Sequence, residues 1–141
     1  MTKARFQALV DLHGQREAQA RQALGRAEVA RAHVVDVIRE VEGQRDAAAS
    51  QTDPRLRAVY IAFRARIDAE LARLANDLRA RDGEVEAARQ ALIAAHRDHA
   101  VFTRLRDRDV AARAVERERR AARGVDDFAA VRAFLTGRVD T

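Results

Sequence analysis

Cysteine and tryptophan are absent from the 141 residues, and there is one proline. Without thiols there are no disulfides and no thiolate metal ligands, and nothing points to an oxidising compartment. Aromatic residues make up 4% of the chain, too few to fill the centre of a compact globule of this length. The longest uninterrupted apolar run, Ala58 to Phe63, is far short of the ~20 residues that cross a bilayer. The N-terminus, Met1-Thr2-Lys3-Ala4-Arg5-Phe6, lacks the apolar stretch of a secretory signal. The expected location is the cytoplasm.

What is present is charge and alanine. Charged residues make up 35%, with 27 Lys+Arg against 22 Asp+Glu. Such a composition suits long helices packed along a thin seam better than a ball-shaped core. The charge is uneven. Residues 103–124 hold eight arginines and four acids, and the rest of the chain is nearly balanced. A local basic segment suggests a docking surface more than a chain-wide affinity for polyanions.

Apolar residues recur every seven positions in the first third: Phe6, His13, Ala20, Ala27, Val34, Val41 and Ala48. A second stripe three residues on holds Leu9, Arg16, Ala23, Ala30, Val37 and Gln44, widened by Leu24 and Ile38. This predicts a helix over about 3–49 wound on a partner. Ser50-Gln51-Thr52-Asp53-Pro54 is the turn, with Asp53 as N-cap and Pro54 at the first helical position. A second helix over about 55–123 repeats the pattern. One position holds Tyr60, Ile67, Leu74, Arg81, Ala88, Ala95 and Phe102; the other holds Leu71, Leu78, Val85, Leu92 and His99.

So short a connection makes the two helices antiparallel neighbours. Folding at the break pairs residues whose numbers total roughly 104, such as Ala27 with Leu78, Ala20 with Val85 and Val34 with Leu71. On that pairing residues 103–123 overhang. Gly124-Val125 reads as a helix end, and Asp126 or Asp127 caps a short helix over about 128–136. Its apolar residues Phe128, Val131, Phe134 and Leu135 lie three or four apart and need a cover. The fold expected is all-α: one domain over 1–141, a long antiparallel two-helix coiled-coil hairpin with an overhanging second helix and a short C-terminal helix.

Catalysis has little to stand on. There is no Gly-rich phosphate loop, no HExxH and no nucleophile elbow. His96 and His99 share a helical face, but no third ligand lies in register, and a partly buried His99 is the favoured reading over a metal site. Neither an enzyme nor a cofactor is expected, and no small-molecule substrate. The basic overhang has three readings: a solvated face, a DNA-reading segment of leucine-zipper type, or a protein-docking helix. The zipper reading needs a parallel dimer with a leucine seam, and the interspersed acids weaken phosphate contacts. Protein docking is therefore preferred. The candidate docking residues are Arg104, Arg106, Arg108, Arg113, Arg117, Arg119, Arg120 and Arg123.

Two stretches carry a family resemblance. The first is Arg5-Phe6-Gln7-Ala8-Leu9-Val10-Asp11-Leu12 with Gln15-Arg16-Glu17-Ala18 and then Ala20, Leu24 and Ala27. The second is Val115-Glu116-Arg117-Glu118-Arg119-Arg120 followed by Gly124-Val125-Asp126-Asp127-Phe128. With the length, the two-helix layout and the central break, these resemble the FliJ family of flagellar export proteins and the YscO-like stalk proteins of type III secretion. The resemblance implies a cytoplasmic stalk or escort, recruited to the inner-membrane face of the apparatus. Its implied partners are the hexameric export ATPase, the cytoplasmic domain of the export gate and the export chaperones. A generic coiled-coil adaptor, or a small basic nucleic-acid-associated rod, is the alternative.

Overall fold

The computed structural model describes residues 5–139. Two helices dominate: α1, Gln7–Ala49, and α2, Arg57–Val139, antiparallel to each other in an all-α hairpin. Alanine, arginine and glutamate have high helix propensity, and the one proline sits between the helices. At the corner the Ser50 hydroxyl donates to the Ala47 carbonyl at 2.7 Å. The Asp53 carboxylate accepts from the Arg55 amide at 3.0 Å and opens a 3-10 turn, Pro54–Leu56, that leads directly into α2. The expected start of the first helix near Lys3 lies outside the described residues.

The chain forms two compact units. One is Gln15–His96. Its core is thin: Val34, Ile67, Leu74 and Val85 are the buried apolar residues. Ala20, Ala27, Val41, Tyr60, Leu71, Leu78 and Leu92 line the same seam half-buried. Arg31 forms an ion pair with Asp82 across the helices, and Glu17 Oε1 meets His96 Nδ1 at 2.9 Å. Both pairs total 113 in residue number, not the expected 104 or so. The difference is nine, one heptad and two residues, and the heptad is the larger part of it. A seven-residue pattern looks nearly the same after such a slip, so small-against-large matching survives it. The corner takes up the extra length, because the first turns of α2 do not start opposite the last turn of α1. A shallow groove there is lined by Ala47, Ala48, Leu56, Val59, Tyr60 and Phe63.

The other unit joins the start of α1, through Gly14, to the chain from Arg97 onward. Val10 and His13 are its buried side chains, with Phe6 and Phe102 half-buried. The Arg5 amide donates to Asp109 Oδ2 at 3.3 Å, and Arg106 Nη1 donates to Gln7 Oε1 at 3.3 Å. Pairing thus reaches Asp109, further than expected, and Arg104, Arg106 and Arg108 lie within the paired stretch instead of on the overhang. Leu9, expected on the seam, is 38% exposed, while Val10 is 6% exposed and points inward. At the start of α1 the second stripe therefore stands four residues after the first, at Val10 and Glu17; further along, Ala23, Ala30 and Val37 are half-buried together with Leu24 and Ile38.

The separate short helix over 128–136 is not formed; α2 runs unbroken through it. A helix stop at Gly124 requires a left-handed residue, and no glycine among the described residues has a positive φ. One glycine costs a helix only about 1 kcal/mol. Ala121, Ala122, Ala129 and Ala130 around it favour continuation.

Candidate functional site

One heptad position of α2 changes character along its length. It holds Leu71, Leu78, Val85, Leu92, His99, Arg106, Arg113 and Arg120, seven apart throughout. Where α1 lies alongside, the position is apolar and at least half-buried. His99 is the transition, its ring 3.4 Å from where a Cβ on Gly14 would stand. At Arg106 the side chain still reaches α1 through Gln7. Beyond Asp109 no part of α1 among the described residues accompanies α2, and Arg113 and Arg120 take the seam position with Arg117 beside them. A packing stripe becomes a basic one.

Half of the eight candidate arginines are held by neighbouring acids. Arg106 pairs with Asp107 at 3.1 Å, and Arg113 pairs with Asp109 at 3.2 Å. Arg120 and Arg123 both reach Glu116, at 3.3 and 3.8 Å. Arg104, Arg108, Arg117 and Arg119 are exposed. Exposed pairs of this kind contribute little to stability. Their effect is to hold long side chains out from the helix in defined directions, with the guanidinium donors still accessible to a second carboxylate.

Apolar side chains share the same segment. Val110 and Val115 are 45 and 46% exposed, and Val125, Phe128 and Phe134 are each about two-thirds exposed. Val131 and Leu135 are more than half exposed as well, and the unbroken α2 keeps these side chains on one continuous helix. His13 stands on the stripe the sequence marked, whereas buried Val10 and Glu17 lie off both expected stripes.

Among the described residues no group of three or more histidine or acidic side chains is placed to hold a metal ion. Among those same residues no helix is long and apolar enough to cross a membrane. The Arg73 guanidinium hydrogen-bonds Glu70 and holds its carboxyl below the usual carboxylate range, but this is a solvated pair within one turn of α2.

Compared with known families, the chain matches the model of the flagellar FliJ protein over residues 2–138. It belongs to the FliJ family. The match spans both helices and the corner between them, so this FliJ-family chain carries the family's pattern over nearly its full length. Members of the family are components of the flagellar export apparatus. No curated protein and no solved structure matches the chain.

Proposed function

We propose that this FliJ-family chain is a non-enzymatic stalk and escort of the flagellar export apparatus, and that Arg113, Arg117 and Arg120 of α2 dock it to the hexameric export ATPase. The carrying observation is the heptad position that passes from leucine to arginine where α1 ends. The seam geometry continues past the partner helix, but its chemistry now suits a carboxylate-lined surface of another protein. Val110 and Val115 add apolar contact beside the arginines, the mixture that protein interfaces use. A single rod in a ring of like subunits meets them unequally and so biases one at a time, which is how such a contact couples to turnover. The gate's cytoplasmic domain and the export chaperones are the further partners of this reading, and they recruit the chain to the inner-membrane face.

Binding to nucleic acid is the competing reading. The neutralisation of Arg106, Arg113, Arg120 and Arg123 by acids of the same helix argues against it, since phosphate contacts depend on uncompensated charge. The test is the triple reversal Arg113→Glu, Arg117→Glu and Arg120→Glu. Pull-down by a cognate export ATPase should fall sharply, and the unmodified complex should loosen with salt. Circular dichroism should change little, because the three positions lie beyond the paired seam. ATPase capture that survives the reversal overturns this assignment. Loss of DNA retardation on a gel, with ATPase capture intact, establishes the competing reading.

A further inference from the structure

Beyond Asp109, α2 carries large apolar side chains in the open. Val125, Phe128, Val131 and Leu135 are 67, 68, 57 and 55% exposed. Ala114, Ala121, Phe128 and Leu135 stand seven apart, and Val125 and Val131 lie within the same stripe. A helix with a heptad apolar stripe is a helix with a place for another helix.

The flanking charges select the occupant. Arg120 and Arg132 border the stripe together with Glu118 and Asp127. A partner surface of one sign would meet repulsion from half of them. A surface carrying the same residues in reverse order meets attraction at each. We propose that this segment pairs antiparallel with the same segment of a second copy of the chain, the two-fold axis passing beside Gly124 and Val125. Ala121 then faces the second copy's Phe128, and Ala114 faces its Leu135, each contact occurring twice. Phe128 and Leu135 each meet an alanine, as close packing requires. Arg120 comes opposite the second copy's Asp127, and Glu118 opposite its Arg132.

The parallel arrangement lacks this match, because it stacks Phe128 on Phe128 and Ala121 on Ala121, one layer overfilled and the next hollow. Gly124, which has no side chain, lies at the axis opposite Val125 and lets the two helices approach there. The charges are also free to engage. Among the described residues Glu118, Asp127 and Arg132 form no ion pair, and the Arg120–Glu116 pair is solvent-exposed, with Arg120 at 76%, so exchanging it costs little. The pairing rests on neither the family assignment nor the ATPase reading. It covers the same stretch of α2, so self-pairing and docking through that stretch exclude one another.

Sedimentation equilibrium of the purified full chain, with no other protein present, tests the proposal. A monomer–dimer equilibrium is expected at concentrations up to about 0.2 mM. Phe128→Asp should abolish it while leaving the helicity of the paired region intact. Arg120→Glu alone, or Asp127→Arg alone, should weaken dimerisation by about tenfold. Combining the two reversals should bring it back to within about threefold of the parent. A chain that stays monomeric throughout, a dimer indifferent to Phe128→Asp, or a double reversal no better than the single ones would overturn it.

Discussion

His13 of α1 lies flat against Phe102 of α2, ring centroids 4.5 Å apart and planes within 12°. His13 is 9% exposed, so the contact is a layer of the seam and not a surface ornament. In a core this thin, one stacked pair is a large share of its layer. His13→Ala should lower stability by about 1–3 kcal/mol, from the lost stacking and the void it leaves. His13→Phe should recover most of the loss. Urea melts followed by circular dichroism give the ranking, and a parent-like midpoint for His13→Ala would show that the stack carries no energy.

The pairing of the helices has its own test in Arg31 and Asp82, which form an ion pair across the seam. Arg31→Asp or Asp82→Arg places like charges together and should cost about 0.5–1 kcal/mol each. The double exchange should restore the parent midpoint. Additive losses would mean that these residues do not face one another.

Leu9 and Val10 make a sharper comparison, because the larger side chain should matter less. Val10 is 6% exposed and Leu9 38%. Val10→Ala should cost about 1–2 kcal/mol, and Leu9→Ala about 0.5. The reverse order of urea midpoints would return Leu9 to the seam.

Gly25 and Gly43 lie inside α1, exposed, and a Cβ on either would meet nothing within 4 Å. Each therefore weakens the helix without serving close packing. Gly25→Ala with Gly43→Ala should raise stability by about 1–2 kcal/mol in total. A thermal melt that fails to move upward would place some unrecognised requirement for glycine at these sites.

Much of the fold was legible because its signals are local and repeated. Tyr60, Ile67, Leu74 and Phe102 announce the inner face of α2, and Asp53-Pro54 marks the corner. In α1 the signal divided, since Ala23, Ala30 and Val37 make an apolar stripe three residues on as readily as Leu24 and Ile38 make one four on. Both stripes are half-buried where they run side by side, and the charge on buried Glu17 disguised the inward position at the start of the helix. The overlap of the helices was illegible from periodicity alone, because a slip of seven leaves every layer looking plausible. Gly124-Val125 imitated a helix stop, and only the alanines on both sides show why it is not one. Of the candidate docking surface, the arginine excess was plain at once. Which arginines stand clear of α1 depended on where the pairing ends.

The meeting of Gly14 with His99 answers the ambiguity that the heptads leave open. The residues seven before and seven after Gly14 are Gln7 and Arg21, each with a long side chain where Gly14 has none. The His99 ring sits 3.4 Å from the empty Cβ site, at the near edge of ordinary contact; moved one repeat either way, it would meet a long side chain in place of this open position. Gly14 is a notch and His99 the tooth that drops into it. Coiled coils with uniform seams can ratchet by a turn or two and use that sliding as a signal. Here the close seat of His99 over Gly14 favours one register locally over a slide of one repeat.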